Sequence, residues 1–70
     1  MMQIADLIFE EVKPGSFYYK KPGVFSALIT KEPEEESFSF VAAHKSLTCA
    51  TSHFGTLEEI EGMLNQLKSI

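Results

Sequence analysis

Seventy residues leave room for one core and no second domain, and 44% hydrophobic residues with six Phe and two Tyr are enough to build that core and argue against general disorder. The net charge of −4 sets ten acidic residues against six lysines, with no arginine and no tryptophan. Without the guanidinium fork, sequence-specific reading of DNA or RNA is a poor fit, and a protein surface is the expected partner.

The single cysteine, Cys49, excludes an internal disulfide. No stretch has the order of a signal peptide, and no apolar run reaches the ~20 residues that span a bilayer. The expectation is a reduced, cytoplasmic protein with no membrane partner. A chain of this size buries only roughly 60% of its unfolded surface, which puts its stability on the order of 3–10 kcal/mol.

In chain order, Ile4, Leu7, Ile8 and Val12 recur at helical spacing, with Ala5 and Phe9 widening the stripe and Asp6 and Glu10 opposite it. Strict alternation fails there, since one register puts Ile4, Asp6, Ile8 and Glu10 on the same face. The spacing predicts a helix over 3–12, stopped by Pro14-Gly15. Phe17, Tyr18 and Tyr19 then form a short strand candidate, and Lys21-Pro22-Gly23-Val24 suits a type II turn. The next strand runs from Val24 to Thr30, with Phe25, Ala27 and Ile29 on one face and Val24, Ser26 and Leu28 on the other. Its apolar character on both faces argues for a central place in the sheet.

Lys31 to Glu36 reads as an acidic loop containing Pro33. Ser37 to Ala43 alternates cleanly, with Phe38, Phe40 and Ala42 inward. His44-Lys45 suits a turn, and Ser46 to Ser52 reads as a further strand with Leu47, Cys49 and Thr51 on one face. Short connections favour an antiparallel meander.

Thr56 and Glu59 have the spacing of a capping box, Glu58 and Glu59 sit in the first turn of the following helix, and Lys68 in its last. Leu57, Ile60, Leu64 and Leu67 line one face, with Met63 beside them and Gly62 at a cost of roughly 1 kcal/mol relative to alanine. The predicted architecture is one α+β domain over 1–70. It is an antiparallel meander of three to four strands flanked by an N-terminal and a C-terminal amphipathic helix.

His44, Cys49 and His53 are the residues that suggest metal or nucleophilic chemistry. An extended Ser46–Ser52 segment would hold the two histidines roughly 27–30 Å apart, too far to share a metal. Cys49 is expected in the core as a small hydrophobe, and the histidines in solvated or loop positions. The glycines are scattered and form no phosphate loop. No catalytic residue, metal or cofactor is therefore expected, and the chain reads as non-enzymatic.

Two groups of side chains suggest binding instead. Tyr18 and Tyr19, next to Lys20 and Lys21, form an aromatic and basic patch suited to a protein interface more than to stacked bases. Glu32, Glu34, Glu35 and Glu36 crowd one loop, and Glu58 and Glu61 lie on the outer face of the final helix. Such carboxylates could imitate nucleic-acid phosphate and steer the protein onto a basic surface.

The leading expectation is a small acidic inhibitor or adaptor docking on a basic, nucleic-acid-handling surface of a larger assembly. In size and charge the chain resembles phage-encoded inhibitors such as anti-CRISPR proteins, a likeness of type with no shared motif. The second expectation is a self-associating module that pairs through an exposed edge strand, with the strand at Phe17 as the candidate.

Overall fold

The computed structural model describes residues 1–46 and 50–69. Six strands, β1 (Met2–Ile4), β2 (Leu7–Lys13), β3 (Ser16–Lys21), β4 (Phe25–Thr30), β5 (Phe38–His44) and β6 (Thr51–Gly55), precede one helix, α1 (Leu57–Lys68). The strands lie in sequence order in one sheet, and every neighbouring pair is antiparallel. The meander and the capped C-terminal helix match the sequence expectation. The strand count and the N-terminal helix do not.

Residues 3–12 form two strands rather than a helix. Ala5 and Asp6 both have positive φ, 53° and 63°, and make a two-residue hairpin turn between Ile4 and Leu7. Positive φ at both central positions matches the right-handed twist of flanking strands, so the chain reverses tightly there. The turn also resets the alternation. Ile4 faces inward before it, and Leu7 and Phe9 face inward after it, so the three-residue step from Ile4 to Leu7, joined by the outward Ile8 and Val12, imitates a helical repeat. Ile8 and Val12, assigned to the same apolar stripe by the helical reading, are instead exposed.

The next two reversals follow the turn chemistry. Pro14-Gly15 joins β2 to β3, with Gly15 at φ +84°. Gly23 at φ +77° and the bond from Val24 N–H to the Lys21 carbonyl (2.9 Å) close the expected type II turn. β3 is paired on both sides, so the strand at Phe17 is not an edge; the edges are β1 and β6. β4 holds the expected central place.

The β5–β6 region departs from the expected Ser46–Ser52 strand. His44 ends β5, Lys45 and Ser46 turn, and β6 begins at Thr51. Leu47, Thr48 and Cys49 lie outside the described residues, and so does the expected core role of Cys49.

The inner face of the sheet carries Phe9, Phe25, Ala27, Ile29, Phe40 and Ala42, all buried, and α1 covers it with Ile60, Leu64 and Leu67. A row of rings crosses four strands on this face: Phe9 to Tyr19 (centroids 5.6 Å apart), Tyr19 to Phe25 (5.5 Å) and Phe25 to His44 (6.0 Å, nearly parallel). Each such aromatic pair adds about 0.5–1.5 kcal/mol beyond the area it buries. The helix is pinned at both ends. The capping box forms at Thr56, and Lys68 Nζ donates to the Ala5 carbonyl (2.7 Å) across the hairpin turn. Among the described residues, no helix is long and apolar enough to cross a membrane.

Candidate protein-binding surfaces

β3 runs with alternate side chains on opposite faces, and that alternation separates the two tyrosines. Tyr19 points inward and packs between Phe9 and Phe25, so it belongs to the core. Tyr18 points outward beside Leu28 and is exposed. The expected aromatic patch is therefore one tyrosine, not two.

The glutamates are brought together by topology. β4 ends and β5 begins at the same end of the sheet, so the intervening loop carries Glu32, Glu34, Glu35 and Glu36 there, all exposed. Phe38 pairs with Gly55, and Thr56 follows at once, so the first turn of α1 with Glu58 and Glu59 rises from that same end. The loop is a shaped turn. Glu35 N–H donates to the Glu32 carbonyl (3.1 Å), and Lys31 Nζ donates to the carbonyls of Glu32 and Glu35. Lys31 is thus engaged by backbone oxygens, and the carboxylates around it point to solvent. Among the described residues the ion pairs are His53–Glu59 and Lys68–Asp6. Glu32, Glu34, Glu35, Glu36 and Glu58 belong to neither.

The opposite end has the other sign. Lys20 and Lys21 lead into the β3–β4 turn, Lys45 follows β5 and donates its N–H to the Val24 carbonyl (2.9 Å), and Lys68 closes α1. Lys13 and Lys31 lie at the acidic end and Asp6 at this one, so the separation of charge is partial.

Glu61 plays a different part from the one expected. Its Oε2 accepts from Ala5 N–H at 3.4 Å and so ties the helix to the β1–β2 turn. With Glu58 it also rims a groove of about 230 Å³ between β1 and α1, whose other walls are Met2, Gln3, Ile4 and Leu57. An apolar floor under a carboxylate rim suits a lysine or arginine side chain, which lays its methylenes on one and its charge against the other.

The histidines are less exposed than expected. His44 is 4% exposed and stacks on Phe25. Ser46 N–H donates to its Nδ1 (3.0 Å), so the neutral ring carries its proton on Nε2, which has no partner among the described residues. His53 lies in β6 directly opposite Phe40, with Nε2 3.4 Å from Glu59 Oε2. The two histidines sit on neighbouring strands rather than at opposite ends of one. His44 lies four residues along β5 from Phe40, a rise of about 13 Å, which is still beyond a shared metal. Among the described residues no three His, Cys, Asp or Glu side chains gather as a metal-holding group.

Glu59 is held by the helix start. Thr56 N–H donates to its Oε1 (2.9 Å), the Thr56 hydroxyl lies 3.2 Å from the same oxygen, and Glu59 N–H donates back to that hydroxyl (3.2 Å). The bond from the Thr56 backbone, then that from its side chain, hold the Glu59 carboxyl below the usual glutamate range, with His53 adding a smaller contribution. This carboxylate stabilises the fold and is not free for chemistry. Comparison with known protein families, curated proteins and solved structures finds no match to this chain.

Proposed function

We propose that this chain is a non-enzymatic protein-binding module that docks its acidic end on a basic surface of a larger, nucleic-acid-handling assembly, in the manner of small phage inhibitors such as anti-CRISPR proteins. The observation that carries this reading is the convergence of two separate glutamate-bearing segments, the β4–β5 loop and the first turn of α1, at one end of the sheet. Lys31 alone stands among these carboxylates, so the surplus of like charge opposes folding slightly and the arrangement gains its value from an external cation-rich partner. The shaped loop adds to this, because a backbone already held by its own hydrogen bonds loses less freedom on docking than a floppy segment. The groove rimmed by Glu58 and Glu61 offers a receptor for one basic side chain of such a partner.

The test compares the full chain with the triple variant Glu34→Lys, Glu35→Lys, Glu36→Lys in pull-downs from the native host, followed by binding measurements on the recovered partner. The expected result is a specific partner whose affinity falls by at least about tenfold on charge reversal and falls steadily with added salt. Equal affinity for the variant, or no dependence on salt, removes the acidic-end reading.

A further inference from the structure

The sheet has two edges, and β1 is the one that α1 approaches without covering. The two-residue turn at Ala5-Asp6 makes Ile4 and Leu7 the pair that exchanges both ladder bonds. The next pair, Gln3 and Ile8, is then the non-bonded one, so the Gln3 N–H and carbonyl point away from β2. From α1, Glu61 accepts the Ala5 N–H and Lys68 donates to the Ala5 carbonyl, so the helix closes the turn end of this edge. Two residues back the closure stops, and the groove of about 230 Å³ opens between Met2–Ile4 and the side chains of Leu57, Glu58 and Glu61.

We propose that this groove takes an extended basic segment of a partner protein, laid beside β1 as a further strand with one arginine or lysine side chain entering between β1 and α1. The proposal deepens the protein-binding reading above and rests on it for the partner's basic character. Side chains alternate across a strand, so a neighbour of β1 sends every second one to the face where Met2 and Ile4 point, which is the face toward α1. Its main chain meets the free N–H and carbonyl of Gln3. Main-chain bonds of this kind give affinity without regard to sequence, and the pocket beside them selects the side chain.

The chemistry of the groove makes that selection. At about 230 Å³ it falls short of the ~300–1,000 Å³ of small-molecule pockets and holds one long side chain. Met2, Ile4 and Leu57 offer apolar walls to its methylenes. Glu58 and Glu61 stand one turn apart on α1, where like charges repel and a cation between them removes the repulsion. Glu58 belongs to no ion pair among the described residues, and Glu61 uses one oxygen, Oε2, on Ala5. An acidic side chain would be repelled by both carboxylates, and an apolar one would desolvate them without replacing the lost water. A cation is the occupant that fits. The guanidinium fork spans two carboxylates where an ammonium meets one at a time, so arginine should bind more tightly than lysine.

An edge of three residues provides one pair of main-chain bonds, so the segment alone should bind with a Kd on the order of 1 mM. The probe is the acetylated and amidated peptide Thr-Val-Arg-Val-Thr, titrated into the isotope-labelled full chain at physiological salt and followed by NMR amide shifts. Saturating shifts are expected at Gln3 and from Leu57 to Glu61. Replacing the arginine by citrulline, which keeps the shape and removes the charge, should weaken binding at least about fivefold, and Glu58→Gln about threefold. Gln3→Pro removes the free N–H at an edge position that tolerates proline. It should weaken the peptide at least about threefold while the thermal melt stays within a few degrees of wild type.

Reversal of Glu34 to Glu36 should leave peptide binding unchanged, because those carboxylates lie outside the groove. Loss of the partner in that variant with peptide binding intact supports both proposals, so the groove and the acidic end fail separately. The absence of a saturable shift up to about 10 mM peptide overturns the groove proposal. So does equal affinity for the citrulline peptide, a set of shifts confined to Glu32–Glu36, or a Gln3→Pro chain that binds as the wild type does.

Discussion

Two glycines show how differently one residue type can act in this chain. Gly15 has φ +84°, and a Cβ placed there would come within 2.7 Å of the Lys31 carbonyl oxygen. That carbonyl belongs to the residue whose N–H donates to Gly15 oxygen at 2.8 Å, so the contact cannot open without losing the bond. Gly15→Ala should therefore cost at least about 1–3 kcal/mol. Gly62 sits on the exposed side of α1, and a Cβ there meets nothing within 4 Å. Close packing against the sheet is not its role, and Gly62→Ala should stabilise the protein by about 0.5–1 kcal/mol through helix propensity. Urea denaturation of the two variants should move the midpoint in opposite directions. At the same scale, Tyr18 and Tyr19 divide between surface and core by strand alternation alone, and only the register says which faces which way.

At the scale of elements, α1 was legible in the sequence because its signals are local. The capping box, the acidic first turn and the spacing of Ile60, Leu64 and Leu67 all lie within the segment itself. Thr56→Ala should cost about 1 kcal/mol. The same cap links stability to pH. The Glu59 carboxyl titrates below the usual glutamate range in the folded chain, so its contribution is fully present above about pH 4.3, the unfolded value, and is lost as pH falls through the lower folded value. Glu59→Gln should therefore lower stability at neutral pH and flatten the loss of stability below about pH 4.3, as followed by circular dichroism. The β1–β2 hairpin was not legible for the converse reason. Its turn uses Ala5-Asp6 instead of the Asn-Gly or Asp-Gly pairs that announce such reversals, and positive φ at alanine carries no sequence mark. Its backbone is held from afar, by Glu61 on the Ala5 N–H and Lys68 on the Ala5 carbonyl.

At the scale of the molecule, one helix closes one curved face, so core losses have little to fall back on. Leu64 is fully buried between α1 and the sheet, and Leu64→Ala should cost about 2–5 kcal/mol, a large share of a stability on the order of 3–10 kcal/mol. A thermal melt lowered by well over ten degrees, or a chain unfolded at room temperature, is the expected outcome, and a small shift would mean that the helix contributes little to closing the core.

The amino-acid order by itself determined the antiparallel meander, the central place of β4, the inward rows of β4 and β5 and the capped final helix. Each of these depends on turn residues, alternation or capping within a few positions. Tertiary structure decided the rest: two N-terminal strands in place of a helix, His44 inward on β5, Tyr19 in the core, and the glutamates of the β4–β5 loop brought to the same end of the sheet as the first turn of α1. Those features depend on which strands lie beside which and in what register, and on contacts between residues more than fifty positions apart such as Ala5 and Lys68. No local pattern encodes such contacts, because their free energy appears only when the whole sheet and its helix are assembled.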